Sequence, residues 1–279
     1  MLMTKKELQI LATQARMWII DAVYQAKCGH PGGSMSAADM LTYLYYEQLR
    51  INPENPKDPN RDRFVLSKGH CAPGLYAVLA MRGFFETGEL NRLRKTGALL
   101  QGHPDMKNIP GVDMSTGSLG QGFSAATGMA LAGKINESGY RVYALLGDGE
   151  LQEGIVWESA MFAAHNKLDN LIAIVDNNNL QIDGKITEVC SPYPIAEKFA
   201  AFGFEVFEID GHDFDQIASA FEQAGKVKGK PCAVIQKTIK SKGVSFMEDR
   251  PEWHGAAPNA EQYALAKAEL EKTLAGLRE

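Results

Sequence analysis

The sequence predicts an α/β protein, a parallel sheet flanked by helices on both faces, and three observations carry that expectation. Short apolar runs alternate along the chain with stretches of helical periodicity. The run VYALL, residues 142–146, is apolar at every position, as a strand covered on both faces must be. A second such run, LIAIV at 171–175, follows after one helix-length of sequence, the usual size of a strand-helix-strand crossover.

The elements follow in order. The first third reads as helical: Leu8, Leu11, Ala15, Trp18 and Ile19 recur at three- and four-residue spacing. Ser36 to Asp39 gives a capping-box-like start to a helix over 37–49. The segment INPENPKDPNR, 51–61, is a loop. Strands are expected at RFVLS (63–67), VYALL, LIAIV, FEVFEI (204–209) and CAVIQKTI (232–239). Helices are expected from about Gln152 to Asn166, over 213–224, and over 259–274 with Asn259 at its start. No internal repeat or low-complexity tract interrupts this order. One domain over 1–279 is expected: a helical segment to about 50, an α/β body over about 60–240, and a closing loop and helix over 241–279.

Composition narrows the class of function. At 45% hydrophobic and 23% charged residues, the 279-residue chain can bury a large core. The net charge of −5 comes without a basic stripe, so nucleic acid is not an expected partner. Cys28, Cys71, Cys190 and Cys232 stand far apart with no CxxC pair, which fits buried thiols in a reducing cytosol better than disulfides or a zinc site. The start of the chain is polar and periodic rather than a signal peptide, and no apolar run reaches the roughly 18 residues of a membrane span. A soluble cytoplasmic protein is expected.

The strand VYALL runs into GDG (147–149), and LIAIV runs into DNNN (176–179). Parallel strands finish on the same edge of a sheet, where open α/β sheets bind their ligands, so Asp148 and Asn178 should meet there. A carboxylate, an amide oxygen and a nearby backbone carbonyl form an all-oxygen donor set suited to Mg²⁺ or Ca²⁺, and Mg²⁺ is usually completed by phosphate oxygens and water. Gly147 and Gly149 permit a sharp turn and the approach of a phosphate. The loop TGSLGQG (116–122) precedes an Ala/Gly-rich helix, whose free N–H groups and dipole would face an anion; close helix packing explains its glycines equally well. Of six histidines, His30, His70, His103 and His254 adjoin glycine in expected loops, whereas His165 ends a helix and His212 sits in a turn.

With these motifs in place the sequence is recognisable. GDGELQEG through VDNNNLQIDG resembles the thiamine-diphosphate motif, and GHPGGSMS, SKGHCAPGLY, GHPD, STGSLGQGFSAATGMALA and WHGAAP resemble, in order, the N-terminal domain of transketolase. The resemblance covers nearly the whole chain and implies a thiamine-diphosphate-binding fold. It implies that Asp148, Asn178 and the backbone oxygen of Leu180 hold Mg²⁺, with Ca²⁺ or Mn²⁺ as substitutes. It places Gly117, Ser118, Leu119, Gly149 and Asn178 at the cofactor, with His70 and His254 reaching the diphosphate. His30 and His254 would contact substrate and assist proton transfer, and His103 would bind the donor end of the sugar; imidazoles titrating near neutrality suit that task. Many transketolases carry Pro where this chain has Ser118. Glu153 and Glu158 match acids at the family's subunit interface, and a solvated helix face explains them as well.

Complete transketolases are more than twice this length, and their second domain carries the glutamate that activates the cofactor. The resemblance therefore implies the N-terminal subunit of a split transketolase acting on sugar phosphates, needing a separate C-terminal subunit, in an α2β2 assembly. The α subunit of a thiamine-diphosphate-dependent 2-oxo-acid dehydrogenase is the alternative, and it is not expected to combine GHPGG, KGH and GHPD. A subunit specialised for a modified sugar is a further alternative.

Overall fold

A computed structural model of the chain describes residues 3–182 and 184–279. Five strands, each at a run expected from sequence, form its centre: β1 (Arg63–Leu66), β2 (Val142–Gly147), β3 (Leu171–Asn177), β6 (Glu205–Asp210) and β7 (Cys232–Lys237). They make one fully parallel sheet in the order β1-β2-β3-β7-β6. A two-stranded antiparallel hairpin, β4 (Leu180–Gln181) and β5 (Gly184–Lys185), follows β3.

Alternation along the strands divides the core in two. Tyr143 and Leu145 of β2 and Ile172 and Ile174 of β3 join one apolar cluster. Val142, Ala144 and Leu146, with Leu171, Ala173 and Val175, join the other. The first layer contains α1 (Lys5–Ala26), α3 (Ala38–Tyr43), α4 (Ala72–Met81), α9 (Phe214–Lys226) and α10 (Ala260–Arg278). The second contains α5 (Gln121–Ile135), α6 (Gly154–His165) and α8 (Ile195–Ala201). Two short helices complete the set, α2 (Pro31–Ser36) and α7 (Ile186–Val189). With both faces covered, every residue of β3 is buried, which is why its sequence shows no polar alternation.

Helix ends follow local chemistry. Thr4 and Glu7 form a capping box on α1, and Asn259 and Gln262 form one on α10. Those helices pack together through stacked Tyr24 and Tyr263 rings, 4.1 Å between centroids, and Lys267 reaches Asp21 at 2.9 Å. Among the described residues no helix is long and apolar enough to cross a membrane.

Three expectations change. Ser36 does not cap a helix: it ends α2, and its hydroxyl donates to Asp176 Oδ2 at 2.6 Å, a partner 140 positions away. The helix expected over 37–49 is α3 followed by a wider turn at Leu44–Gln48. α6 begins two residues late, because the chain first makes a tight turn over Gly149–Gln152.

Candidate active site

β2 and β3 lie side by side with Gly147 opposite Asp176, so the residues that follow them emerge together. The Asn179 N–H donates to Asp148 Oδ2 at 2.6 Å, and the Gly149 N–H to Oδ1 at 2.8 Å. Asn178 Oδ1 accepts from the Leu180 N–H at 3.1 Å. Asp148, Asn178 and Leu180 thus reach one wall of a cleft of about 300 Å³ at the carboxyl edge of the sheet.

Asp148 is 2% exposed. Burial, and then the charge of Asp176, push its carboxyl up to about 7. A buried acid destabilised as an anion is a position where a cation is favourable. Lys240 Nζ already lies against the third oxygen, donating to the Leu180 carbonyl at 3.2 Å. No group of three His, Cys, Asp or Glu side chains among the described residues has metal-site geometry. The oxygens of Asp148, Asn178 and Leu180 are of the chemical type that suits a hard divalent ion.

Three imidazoles line the same cleft. His30 precedes α2, His70 lies in the turn Gly69–Cys71 and His254 in the turn Pro251–His254. Their rings are 5.2 Å (30 to 70), 5.4 Å (30 to 254) and 5.1 Å (70 to 254) apart. The Lys240 ammonium donates to His254 Nδ1 at 2.9 Å, which leaves the ring proton on Nε2. His30 Nδ1 is buried without a partner. His103 packs on Gly117, where an added Cβ would lie 2.9 Å from the ring; Gly117 has φ +143°, a backbone that favours glycine.

His30, His70 and His254 are held well below neutrality, contrary to the sequence expectation. Burial first, then the neighbouring positive groups, lowers His30 and His70 to about 4 and His254 to about 3. His103 is lowered for the same reasons, burial first and then Arg94. The rings of His30, His70 and His254 are therefore neutral near pH 7.

Of the two readings left open for the glycine loop, close helix packing is the one that Gly120 and Gly122 show. The N-terminus of α5 is not open to an external anion: Glu150 Oε1 accepts from the Gly120 N–H at 2.8 Å, and Ser67 Oγ accepts from the Phe123 N–H at 3.0 Å. Gly117, Leu119 and Gly149 line the cleft, while Ser118 is exposed. Glu153 lies at the cleft and Glu158 on the outer face of α6, both exposed. His165 ends α6, and both ring nitrogens of His212 are occupied far along the sheet edge.

The family model described as transketolase, thiamine diphosphate binding domain matches residues 8–273. The chain belongs to the transketolase family. It is 46% identical over 266 residues to the 6-deoxy-6-sulfo-D-fructose transketolase subunit of a Clostridium species, covering 95% of this chain and 97% of that protein. It is 40% identical to an apulose-4-phosphate transketolase subunit of Phocaeicola vulgatus, covering 98% and 96%. Human transketolase is 45% identical over 253 residues, 88% of this chain but 39% of that one. Among solved structures, transketolase from Pichia stipitis in complex with sedoheptulose 7-phosphate superimposes with a TM-score of 0.89 at 30% identity, over 98% of this chain and 45% of that one. The chain spans less than half the length of these full-length transketolases.

Four residues of this transketolase-family site escaped the sequence reading. Asp176 is fully buried and accepts from Ser36, from Thr238 Oγ1 at 2.5 Å, from Asn178 Nδ2 at 3.3 Å and from Lys68. Lys68 also donates to the Gly33 carbonyl at 2.9 Å. Lys240, lowered to about 8 by burial, and Glu150 complete the set. A lysine at the end of an apolar strand, in LSKGH, was a usable signal for Lys68. Lys240 sits in KTIKSKG, which reads as an ordinary surface charge run.

Proposed function

We propose that the chain is the cofactor-binding subunit of a two-chain transketolase, moving a two-carbon ketol unit from a ketose to an aldose when joined by a C-terminal subunit. One observation carries this reading: the Asp148, Asn178 and Leu180 oxygens face a cluster of neutral imidazoles in one cleft. The two relatives named as subunits match the chain along almost their whole length, which supports a separate partner and the 2-oxo-acid dehydrogenase alternative much less. An α2β2 assembly follows from two-fold pairing of such subunits.

Asp148, Asn178 and the Leu180 carbonyl would hold Mg²⁺, with Ca²⁺ or Mn²⁺ as substitutes. His70, His254, Gly149 and the loop Gly117, Ser118 and Leu119 would receive the diphosphate. Thiamine diphosphate, when bound, supplies a nucleophilic carbon for the ketose carbonyl and delocalises the charge left when the adjacent carbon–carbon bond breaks. His30 and His254 relay hydroxyl and carbonyl protons. As neutral rings whose charged form is disfavoured, they accept a proton and return it within the turnover. His103, fixed against Gly117, orients the donor end of the sugar. The subunit relatives are named for a sulfonated and a phosphorylated modified sugar, which favours a ketose with an anionic group remote from its carbonyl. Transfer between the common sugar phosphates is the other member of the same class. All four cysteines are free thiols, in keeping with a reducing cytoplasm.

The test is a coupled ketol-transfer assay on the purified chain with and without its C-terminal partner, scored over a panel of phosphorylated and sulfonated ketoses. Negligible activity alone and recovery on mixing are expected. Full turnover by the isolated chain would refute the two-chain reading.

A further inference from the structure

Glu150 is a buried acid that none of the roles above uses. It is 2% exposed, and no Lys or Arg pairs with it among the described residues. Its carboxylate is instead the meeting point of three segments. Oε1 accepts from the Ser67 hydroxyl after β1 at 2.5 Å and from the Gly120 N–H at the start of α5 at 2.8 Å; Oε2 accepts from the Gly147 N–H at the end of β2 at 3.0 Å. Each of the three groups donates to a carboxyl oxygen of Glu150. The carboxyl group sits against the start of α5, where the helix dipole favours a negative group.

We propose that Glu150 is a positioning residue: by taking the anion seat at the start of α5 itself, it sets the distance between the loop Gly117–Leu119 and the turn carrying Asp148 and Gly149, and so preforms the diphosphate site. The geometry admits little slack. Gly120 has φ +78°, and a Cβ there would lie 2.5 Å from Ile155, so the loop cannot recoil toward α6. Gly122 lies against the Ser67 backbone, where a Cβ would come within 2.7 Å. With its back closed by these contacts and its front held by Glu150, the loop is left one position from which Gly117 and Leu119 line the cleft. An external phosphate is thereby directed away from the helix terminus and toward the metal side and the histidines.

This inference rests on the thiamine-diphosphate reading, and its test separates the two. Glu150→Gln keeps the shape but sets an amide N–H₂ against either the Gly147 N–H or the Gly120 N–H, so one segment is released. Titration of the chain, assembled with its C-terminal subunit, with thiamine diphosphate at fixed Mg²⁺, well below the melting temperature, should show a dissociation constant raised about tenfold or more. Ser67→Ala removes a donor and the acceptor for Phe123, loosens only the α5 side, and should show a smaller loss of the same kind. A purely structural role would lower the melting temperature and leave the affinity of the folded protein alone. Wild-type affinity in folded Glu150→Gln overturns the inference; should that variant not fold, wild-type affinity in Ser67→Ala overturns it. Failure of the unaltered chain, joined by its C-terminal subunit, to bind thiamine diphosphate would overturn the cofactor reading itself.

Discussion

The same sheet edge carries two clusters of histidine and carboxylate, and they differ in one respect. At the β6 end, His212 Nδ1 contacts Asp39 Oδ2 at 2.7 Å, and the Ile239 N–H donates to Nε2 at 2.9 Å. Nε2 is therefore bare, the ring proton lies on Nδ1, and both nitrogens are spent on the fold. Arg16 closes the arrangement on Asp39 at 3.0 Å. Burial alone would raise Asp39, but Arg16 and His212 hold it at about 2. At the β2 and β3 end, among the described residues, His30 has a buried nitrogen with no hydrogen-bond partner, and His254 has one hydrogen-bond partner, Lys240. A saturated imidazole is a strut, whereas an unsaturated one in a cleft has capacity left for a ligand.

The contrast is broken or sharpened by substitution. In the assembled enzyme His30→Ala and His254→Ala should each lower turnover by about 10² to 10⁴, the usual cost of removing a positioned proton carrier. Activity within a few-fold of wild type in both would erase the distinction between the two ends. Asp148→Ala should weaken Mg²⁺-dependent binding of thiamine diphosphate by about 100-fold or more while the far-ultraviolet circular dichroism stays unchanged. Calorimetry giving an unaltered affinity would remove Asp148 from the metal site.

His212→Ala should do the reverse. It leaves the Ile239 N–H and one side of Asp39 without partners, a loss of about 1–3 kcal/mol in denaturant unfolding. Turnover of the folded variant should remain within about twofold of wild type, and a collapse of turnover without loss of stability would move His212 into the active site.

A further expected effect is on pH. His30, His70 and His254 are lowered from 6.5 to about 4, 4 and 3, so between those values the unfolded chain binds protons that the folded chain does not. Their contribution is complete above about 6.5 and is lost as pH falls through the folded values. Asp148, raised from 3.8 to about 7, acts with the opposite sign over part of that window, one group against three. The melting temperature of the cofactor-free chain should therefore fall from pH 6.5 toward 4, and His30→Ala should flatten the slope while His212→Ala preserves it. A level profile in the wild type would mean the cleft imidazoles are solvated.

What the sequence disclosed and what it hid follow from the range of the interactions involved. All five strands of the sheet were legible because a strand covered on both faces must be apolar throughout, a property local to each run. The meeting of Asp148 with Asn178 was legible because adjacent parallel strands share an edge. Ser36 misled because its spacing to Asp39 imitates a cap, while its partner is Asp176. The depressed imidazoles could not be foreseen, since burial and the nearness of Lys68 and Lys240 exist only after folding. Glu150 was hidden for a related reason. Its neighbours in sequence say turn, and its three donors come from three different segments.

Asp176 has a consequence for how the molecule comes to exist. Its carboxylate joins Ser36, Lys68 and Thr238, at separations of 140, 108 and 62 residues. Contacts of that span form late, because each long loop must close before the contact rewards it. During synthesis, the floor beneath the cleft has no complete set of partners until the segment bearing Thr238 has left the ribosome. A half-made chain, even with β2 and β3 already paired and Lys68 in place, would leave Asp176 Oδ1 without the Thr238 hydroxyl that it accepts from in the finished one. Cofactor capture thus reports on completed folding, and hydrogen exchange should find the amides around Asp176 opening with the whole sheet rather than piece by piece.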